Sequence, residues 1–413
     1  MKLGNIINYR KGKAPTGIKL NDDLVIYLSP EYLRNKAKET LLPNFFGKVE
    51  VKNGDLLLLW DGSNAGEFFM GKNGVLSSTM VKLLFDESAN DRLFLYYQLK
   101  FFEDFLKSQT NGSGIPHVDK EILLSIDVKH FKPSEQTQIA TILSKVDKAI
   151  AQTEQLIAKY TCVKIGLMQD LLTKGIDENG NIRSEETHEF KDSPLGKIPK
   201  EWDCVNLSFF IEKLESGVSV NSDDIPIGGN QLGILKTSAL SQCKFNFEQN
   251  KTVKQFDLPR LKCPIRKGAI LISRMNTPDL VGENALVKDT FDNLYLPDRI
   301  WQTIFKNIEQ LNVNWLASVL ASDNYRKTIA FLGTGTSNSM KNISKKSFLE
   351  VLIPKVPITE QNQISNQIIA VEEFEISNTK QLSKLQSLKT GLMQDLLSGK
   401  VRVNHLIKET ANE

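Results

Sequence analysis

The chain has 413 residues, 40% of them hydrophobic and 24% charged, which excludes a disordered or fibrous protein and leaves room for two or three domains with a substantial core. A net charge of +3 does not demand a polyanionic partner, yet Lys and Arg gathered on one face would suffice for one. The amino terminus, MKLGNIINYRKGK, lacks the apolar stretch of a signal peptide, and no run approaches the roughly 18 apolar residues of a membrane span, so a cytoplasmic protein is expected.

In chain order, LGNIINYRKG from Leu3 opens a mixed α/β segment, and KNGDLLLL from Lys52 gives a basic turn followed by an apolar strand. GEFFMGKN at Gly66–Asn73 satisfies G-x-x-x-x-G-K, but Asn73 stands where a phosphate-binding loop needs Ser or Thr, and two phenylalanines replace small residues. TNGSG from Thr110 reads as a loop, and Leu124, Ile126 and Val128 alternate as a strand. A long helix is expected next, with Ser134 as N-cap, Glu135 favourably placed in its first turn and an end near Gly175.

Within that helix Ile139, Leu143, Val146, Ile150, Thr153, Ile157, Tyr160, Lys164, Leu167 and Leu171 keep an unbroken 4-3 spacing, the mark of a coiled-coil seam. About 39 residues would span roughly 58 Å at 1.5 Å per residue. DENGNIRSEETHEFKDSPLGKIPKEW then reads as a solvated, turn-rich linker.

The second half repeats the first. RKGAILIS from Arg266 answers KNGDLLLL, LGTGTSN from Leu332 answers TNGSG, and Leu349, Val351 and Ile353 answer the earlier alternating strand. PSEQTQIA at Pro133–Ala140 matches ITEQNQIS at Ile358–Ser365. The heptapeptide GLMQDLL recurs unchanged at Gly166–Leu172 and Gly391–Leu397, both at an offset of 225 residues.

The second helix, with Thr359 as N-cap, Glu360 in its first turn and an end near Gly399, offers Ile364, Ile368, Val371, Leu382, Leu385, Leu392 and Leu396 on the same spacing. Glu375, Asn378 and Lys389 interrupt it. Neither helix buries such a stripe alone, so the two are expected to pair. GLMQDLL itself is packing sequence at helical spacing.

The fold class is therefore α+β. Two mixed α/β domains (residues 1–132 and 200–357) are separated by two long helices (133–175 and 358–398) forming an antiparallel coiled coil, with a linker at 176–199 and a loose tail at 399–413.

This layout, with its EQ..IA helix starts, GLMQ.LL helix ends and the PLGKIPKEW approach to the second domain, resembles the specificity subunit of Type I restriction-modification systems. The resemblance covers essentially the whole chain. It implies that the two globular domains are target recognition domains, one for each half of an interrupted, asymmetric DNA sequence. The helices would separate them as a ruler, so that a turn inserted in both changes the gap between half-sites.

It implies as partners double-stranded DNA, two methylation (M) subunits that carry S-adenosylmethionine and modify adenine, and restriction (R) subunits that use ATP and Mg. The specificity chain would have no catalytic centre, cofactor or metal of its own. A rival reading is a coiled-coil scaffold whose globular domains bind proteins rather than DNA.

Neither an Asn/Asp-Pro-Pro-aromatic segment nor H-E-x-x-H occurs, and His117, His130, His188 and His405 have no partners at ligand spacing. Cys162, Cys204, Cys243 and Cys263 match no zinc or disulfide pattern and read as buried free thiols.

What remains is base and phosphate recognition by amide, hydroxyl and basic side chains. In the first domain the candidates are Trp60, Ser63 and Asn64 after the apolar strand, and Gln109, Asn111 and Ser113 at the loop. In the second they are Arg274 and Asn276 after the strand, and Thr334, Thr336, Asn338 and Lys341 at the loop. Arg10, Lys11, Lys13, Lys345 and Lys346 are candidates for binding phosphate. Trp301, between apolar residues, reads as core.

Overall fold

The computed structural model describes residues 1–15, 24–110, 115–335 and 340–406. The chain divides into two units, Met1–Leu156 with Asn378–Glu413, and Ile157–Ser377, so each long helix gives one part to each unit.

Unit 1 is built on an antiparallel sheet of β1 (Ile7–Lys11), β2 (Leu56–Leu59), β3 (Phe68–Met70) and β4 (Met80–Phe85), in the order β1-β4-β2-β3. β2 explains its own sequence. Leu56 and Leu58 enter one core while Leu57 and Leu59 enter another, so a strand covered on both faces needs four consecutive leucines. β3 is the FF of GEFFMGKN, with Phe68 and Phe69 both buried, and a buried strand cannot wrap a phosphate.

Unit 2 repeats the plan with β5 (Ile211–Ser216), β6 (Ile270–Ser273), β7 (Asn284–Leu286) and β8 (Ile300–Phe305), in the order β5-β8-β6-β7. Ile270 and Ile272 point into one core and Leu271 into another, as in β2. Trp301 on β8 is buried. Each unit adds a second small sheet with one parallel pairing, Tyr27 opposite Val75 in unit 1 and Gly233 opposite Leu294 in unit 2.

Of the expected strand at Leu124–Val128, Leu124 ends a short helix, Lys120–Ser125, while Asp127 forms an antiparallel bridge with Lys2, flanked by bonds from the Leu3 amide to the Ile126 carbonyl and from the Val128 amide to the Met1 carbonyl. The counterpart in unit 2 is a helix, Lys345–Leu349, followed by a strand, Leu352–Lys355. Capping overrode the alternation: Asp119 accepts from the Glu121 and Ile122 amides, and Ser344 from the Ser347 amide.

Four longer helices matter here: α1 (Arg92–Phe101), α2 (Pro133–Thr173), α3 (Val313–Ala321) and α4 (Ile358–Leu397). α2 and α4 start before the expected caps, leaving Ser134 and Thr359 inside their first turns. Proline at the first helical position fits, because its missing N–H is one that the helix would leave unpaired.

The two helices run antiparallel in both units. In unit 1 Ile139 and Leu143 share a core with Leu396 and Leu397, against which Leu392 packs. In unit 2 Leu171, with Leu167 against it, shares one with Ile364 and Ile368. Between these ends Val146, Ile150 and Ile157 on α2, and Val371, Leu382 and Leu385 on α4, are half-buried while most of their neighbours are exposed.

Among the polar positions of the seam, Lys164 and Lys389 form cross-helix ion pairs, while Thr153 and Asn378 are buried. Lys389 meets Asp147 at 2.6 Å in unit 1, and Lys164 meets Glu372 at 3.0 Å in unit 2. These are the same two positions of the repeat, used twice. A polar pair at one register favours one alignment over its slipped neighbours. Lys389→Asp should lower the stability of unit 1 to urea by about 1 kcal/mol, and Asp147→Asn, which still accepts the bond from the Tyr97 hydroxyl, should restore most of the loss when added to it. A double variant no better than the single would remove the pair from the register argument.

The repeated EQ is the most informative dipeptide. Gln136 accepts from the Asp91 amide at 2.7 Å and donates to the Ala89 and Phe131 carbonyls; Gln361 accepts from the Asn312 amide at 2.8 Å and donates to the Gln310 and Val356 carbonyls. Asp91 and Asn312 are the N-caps of α1 and α3. Each glutamine therefore fastens a long helix to the cap of a globular-domain helix.

The adjacent glutamates clasp the chain that leaves the opposite helix. Glu360 accepts from Arg183, from Trp202 Nε1 at 3.0 Å and from the Ile176 amide at 2.9 Å. Glu135 accepts from Arg402 Nε at 2.6 Å and Nη2 at 2.5 Å. Two expectations change accordingly.

The linker at 176–199 is folded rather than solvated: Ile176 and Ile198 are buried, and Phe190–Ser193 pairs with Gly196–Pro199. The tail at 399–413 is anchored at Arg402 and at the buried Val403. The turn out of α2 needs Gly175, at φ +65°, because an added Cβ would lie 2.1 Å from Glu360 Oε1.

The Arg402 guanidinium holds the Glu135 carboxyl below its usual range despite burial. A folded-state pKa below the unfolded one contributes stability above the ordinary carboxylate range, lost as pH falls through the folded value. Acid titration of unit 1 stability should therefore flatten in Glu135→Gln, and an unchanged titration curve would remove this pair from the acid response.

Candidate nucleic-acid interface

In unit 1 the turn after β2 carries Trp60, Ser63 and Asn64, the last two exposed. Backbone bonds set its shape: the Trp60 and Asp61 amides both donate to the Thr79 carbonyl, and the Ala65 amide donates to the Gly62 carbonyl. On its other side the Gly62 amide reaches the Pro116 carbonyl, and the Val118 amide reaches that of Trp60. Ile115, in the segment after the TNGSG loop, is 71% exposed.

β1 completes the cluster. Tyr9 packs on Trp60 with ring centroids 4.8 Å apart, and Lys11 pairs with Asp61 at 2.7 Å. Arg10 and Lys13 are exposed. The structure thus brings Lys11, Trp60, Ser63 and Asn64 to one region, whereas Arg10, between Tyr9 and Lys11 on β1, alternates to the other face of the strand. Gln109 is exposed at the end of the helix Glu103–Ser108. Asn111 and Ser113 lie outside the described residues.

In unit 2 the equivalent turn after β6 is tied to its loop. Met275 and Asn276 pair with Asn342 and Lys341, and Thr334 bridges Asn342. Arg274 donates from Nε to the Asp298 carbonyl at 2.7 Å, and Lys341 from Nζ to the Gly335 carbonyl at 2.9 Å. Asn276 bonds Ser273 Oγ at 3.2 Å.

Arg274, Asn276, Thr334 and Lys341 therefore converge, with part of their hydrogen-bonding capacity spent on holding the loop. Lys345 is spent similarly on the Leu214 carbonyl at 2.7 Å, whereas Lys346 is 85% exposed. Thr336 and Asn338 lie outside the described residues.

Among the described residues no group of three or more His, Cys, Asp and Glu converges as a metal site. The cysteines depart from expectation: Cys162 is exposed and the other three are half-buried. Burial pushes the Cys243 thiol up to about 12, so it stays protonated at neutral pH.

Comparison with known proteins decides the family. The chain is 33% identical, over 98% of its length and 93% of the other's, to the Type I restriction enzyme MjaVIII specificity subunit of Methanocaldococcus jannaschii. The chain belongs to the Type I restriction-modification specificity subunits. Residues 1–160 match the model of the Type I restriction modification DNA specificity domain, so recognition of a DNA sequence is its function.

The fold agrees with two solved structures. The Type I S subunit from M. genitalium matches at TM-score 0.61 and 15% identity, covering 96% of this chain and 95% of that one. A chain from work on complex assembly and conformational transition of the type I R-M system matches at TM-score 0.51 and 17% identity, covering 97% of each.

For a specificity subunit, reasoning from sequence missed Tyr9, which braces Trp60, and the clasp residues Arg183, Trp202 and Arg402. Tyr9 was findable as an aromatic beside the basic run YRKGK. The clasp arginines follow the two GLMQDLL ends at different distances, so the repeat did not align them.

Proposed function

We propose that this specificity subunit reads an interrupted, asymmetric DNA target, one half through each unit, and delivers adenine-methylating M subunits to it without a catalytic centre of its own. The observation that carries the reading is two units with one sheet topology and different side chains at the equivalent turns. A shared scaffold with divergent turn residues suits two different short sequences.

Docking of two M subunits is supported by the repeat, which offers equivalent helix surfaces twice, and by apolar residues outside the seam. Leu156 and Leu388 in unit 1 and Ile165 and Ile376 in unit 2 are each at least 40% exposed. R subunits join the same assembly. S-adenosylmethionine then belongs to M, and ATP with Mg to R, and the complex works in the cytoplasm.

Gel-shift titration of the full chain with M subunits tests this. A specific complex should weaken steeply with salt as bound phosphates release counterions. If that complex ignores duplex DNA, the scaffold reading replaces this one. Methylome sequencing with and without the gene identifies the motif.

A further inference from the structure

Unit 1 holds a cleft of about 530 Å³ that no candidate residue but Asn64 touches. Four cations line it, Arg34, Lys36, Lys100 and Lys107, against one lining carboxylate, Glu67. Beneath the rim Glu103 is 8% exposed, accepting from the Phe68 amide at 2.9 Å and from Lys100 and Lys107 at 2.7 Å each. Arg34 is held by Glu67, at 2.9 Å from its Nε, and lies over the Phe69 ring at 5.7 Å.

With Glu31 at 3.3 Å from Arg34 Nη1, three carboxylates leave an excess of one positive charge over the four cations, and they fix three of the four cationic side chains in place. Ordered cations around an open, polar cleft suit an oxyanion better than an apolar ligand, because little side-chain entropy is left to lose on binding. Tyr96 adds a phenol that burial pushes up to about 12, so it keeps its proton at neutral pH. Asn64 belongs both to this cleft and to the turn after β2, which makes the cleft continuous with the proposed base-reading surface.

We propose that this cleft holds a backbone phosphate of the target duplex beside the half-site that unit 1 reads. The inference rests on the DNA-reading function above and adds to it a sequence-independent anchor that fixes the register of the turn on the duplex.

The test uses the full chain assembled with M subunits, a duplex carrying the methylated motif, and an unrelated duplex of equal length. Lys36→Gln, and Lys36→Gln with Lys100→Gln, leave Glu103 paired with Lys107 and the Phe68 amide. Both variants should weaken binding to the two duplexes by the same factor, lower the salt slope by about 0.9 for each phosphate no longer neutralised and leave the methylated motif unchanged.

Unchanged affinity and slope in folded complexes would overturn the proposal. A relaxed motif with an unchanged slope would also overturn it, making these residues base readers. Calorimetry with inorganic phosphate and with ADP on the DNA-free complex separates the remaining source. Lysine-dependent binding there, with an unaltered DNA slope, would assign the cleft to a small phosphate ligand and overturn the proposal. A wild-type complex that binds neither duplex would sink the DNA-reading function itself, a different result from variants that match a DNA-binding wild type.

Discussion

Glu360→Ala should lower the stability of unit 2 by about 3–5 kcal/mol, the usual cost of removing one partner of a buried, hydrogen-bonded ion pair. Arg183 and Glu360 have side chains only 10% and 8% exposed. The carboxylate also accepts from Trp202, fully buried, and from the Ile176 amide, so alanine would strand a guanidinium, an indole N–H and a backbone N–H together.

Urea denaturation followed by tryptophan fluorescence reads this directly, because Trp202, Trp301 and Trp315 all lie in unit 2. Glu135→Ala is the control. Its partner Arg402 is half exposed and regains water when released, so the loss there should be smaller. Arg183→Met combined with Glu360→Ala should recover part of the loss, since the stranded charge is gone. Equal midpoint shifts for Glu360→Ala and Glu135→Ala would contradict the buried-hub account.

This hub also marks how far sequence carries. The 4-3 stripe of α2 and α4 was legible because periodic burial leaves a periodic record, and the seam positions are the protected ones. The EQ dipeptides were legible as a repeat but not as a mechanism: their partners are Asp91 and Arg402 in one case and Asn312 and Arg183 in the other, all distant along the chain.

The linker between residues 176 and 199 was misread for a related reason. It is polar because its arginine and turns satisfy a buried carboxylate and their own backbone, and polarity of that kind looks in sequence like solvation. The recognition surface was legible only as places in a plan, the turns after two equivalent strands. Which side chains there are free and which are spent on their own loop depends on bonds such as that of Arg274 to the Asp298 carbonyl, which no local pattern announces.

That distinction sets the last expectation. Ser63 and Asn64 are exposed on a turn whose shape is fixed by backbone bonds, so replacing both with alanine should leave stability within about 0.5 kcal/mol. Binding to the cognate duplex should nevertheless fall by about 1–3 kcal/mol for each base that is no longer read, roughly 5- to 150-fold, while binding to unrelated DNA barely changes.

Methylome sequencing of a strain carrying Ser63→Ala with Asn64→Ala should then show a motif relaxed in one half only. Lys341→Gln in unit 2 should relax the other half, with a smaller change in sharpness because part of its role is to hold the Gly335 carbonyl. The two substitutions act through separate units, so their effects should add when combined. Relaxation of both halves by either variant would mean that the units do not read independently, and the two-headed reading of the target would fail with it.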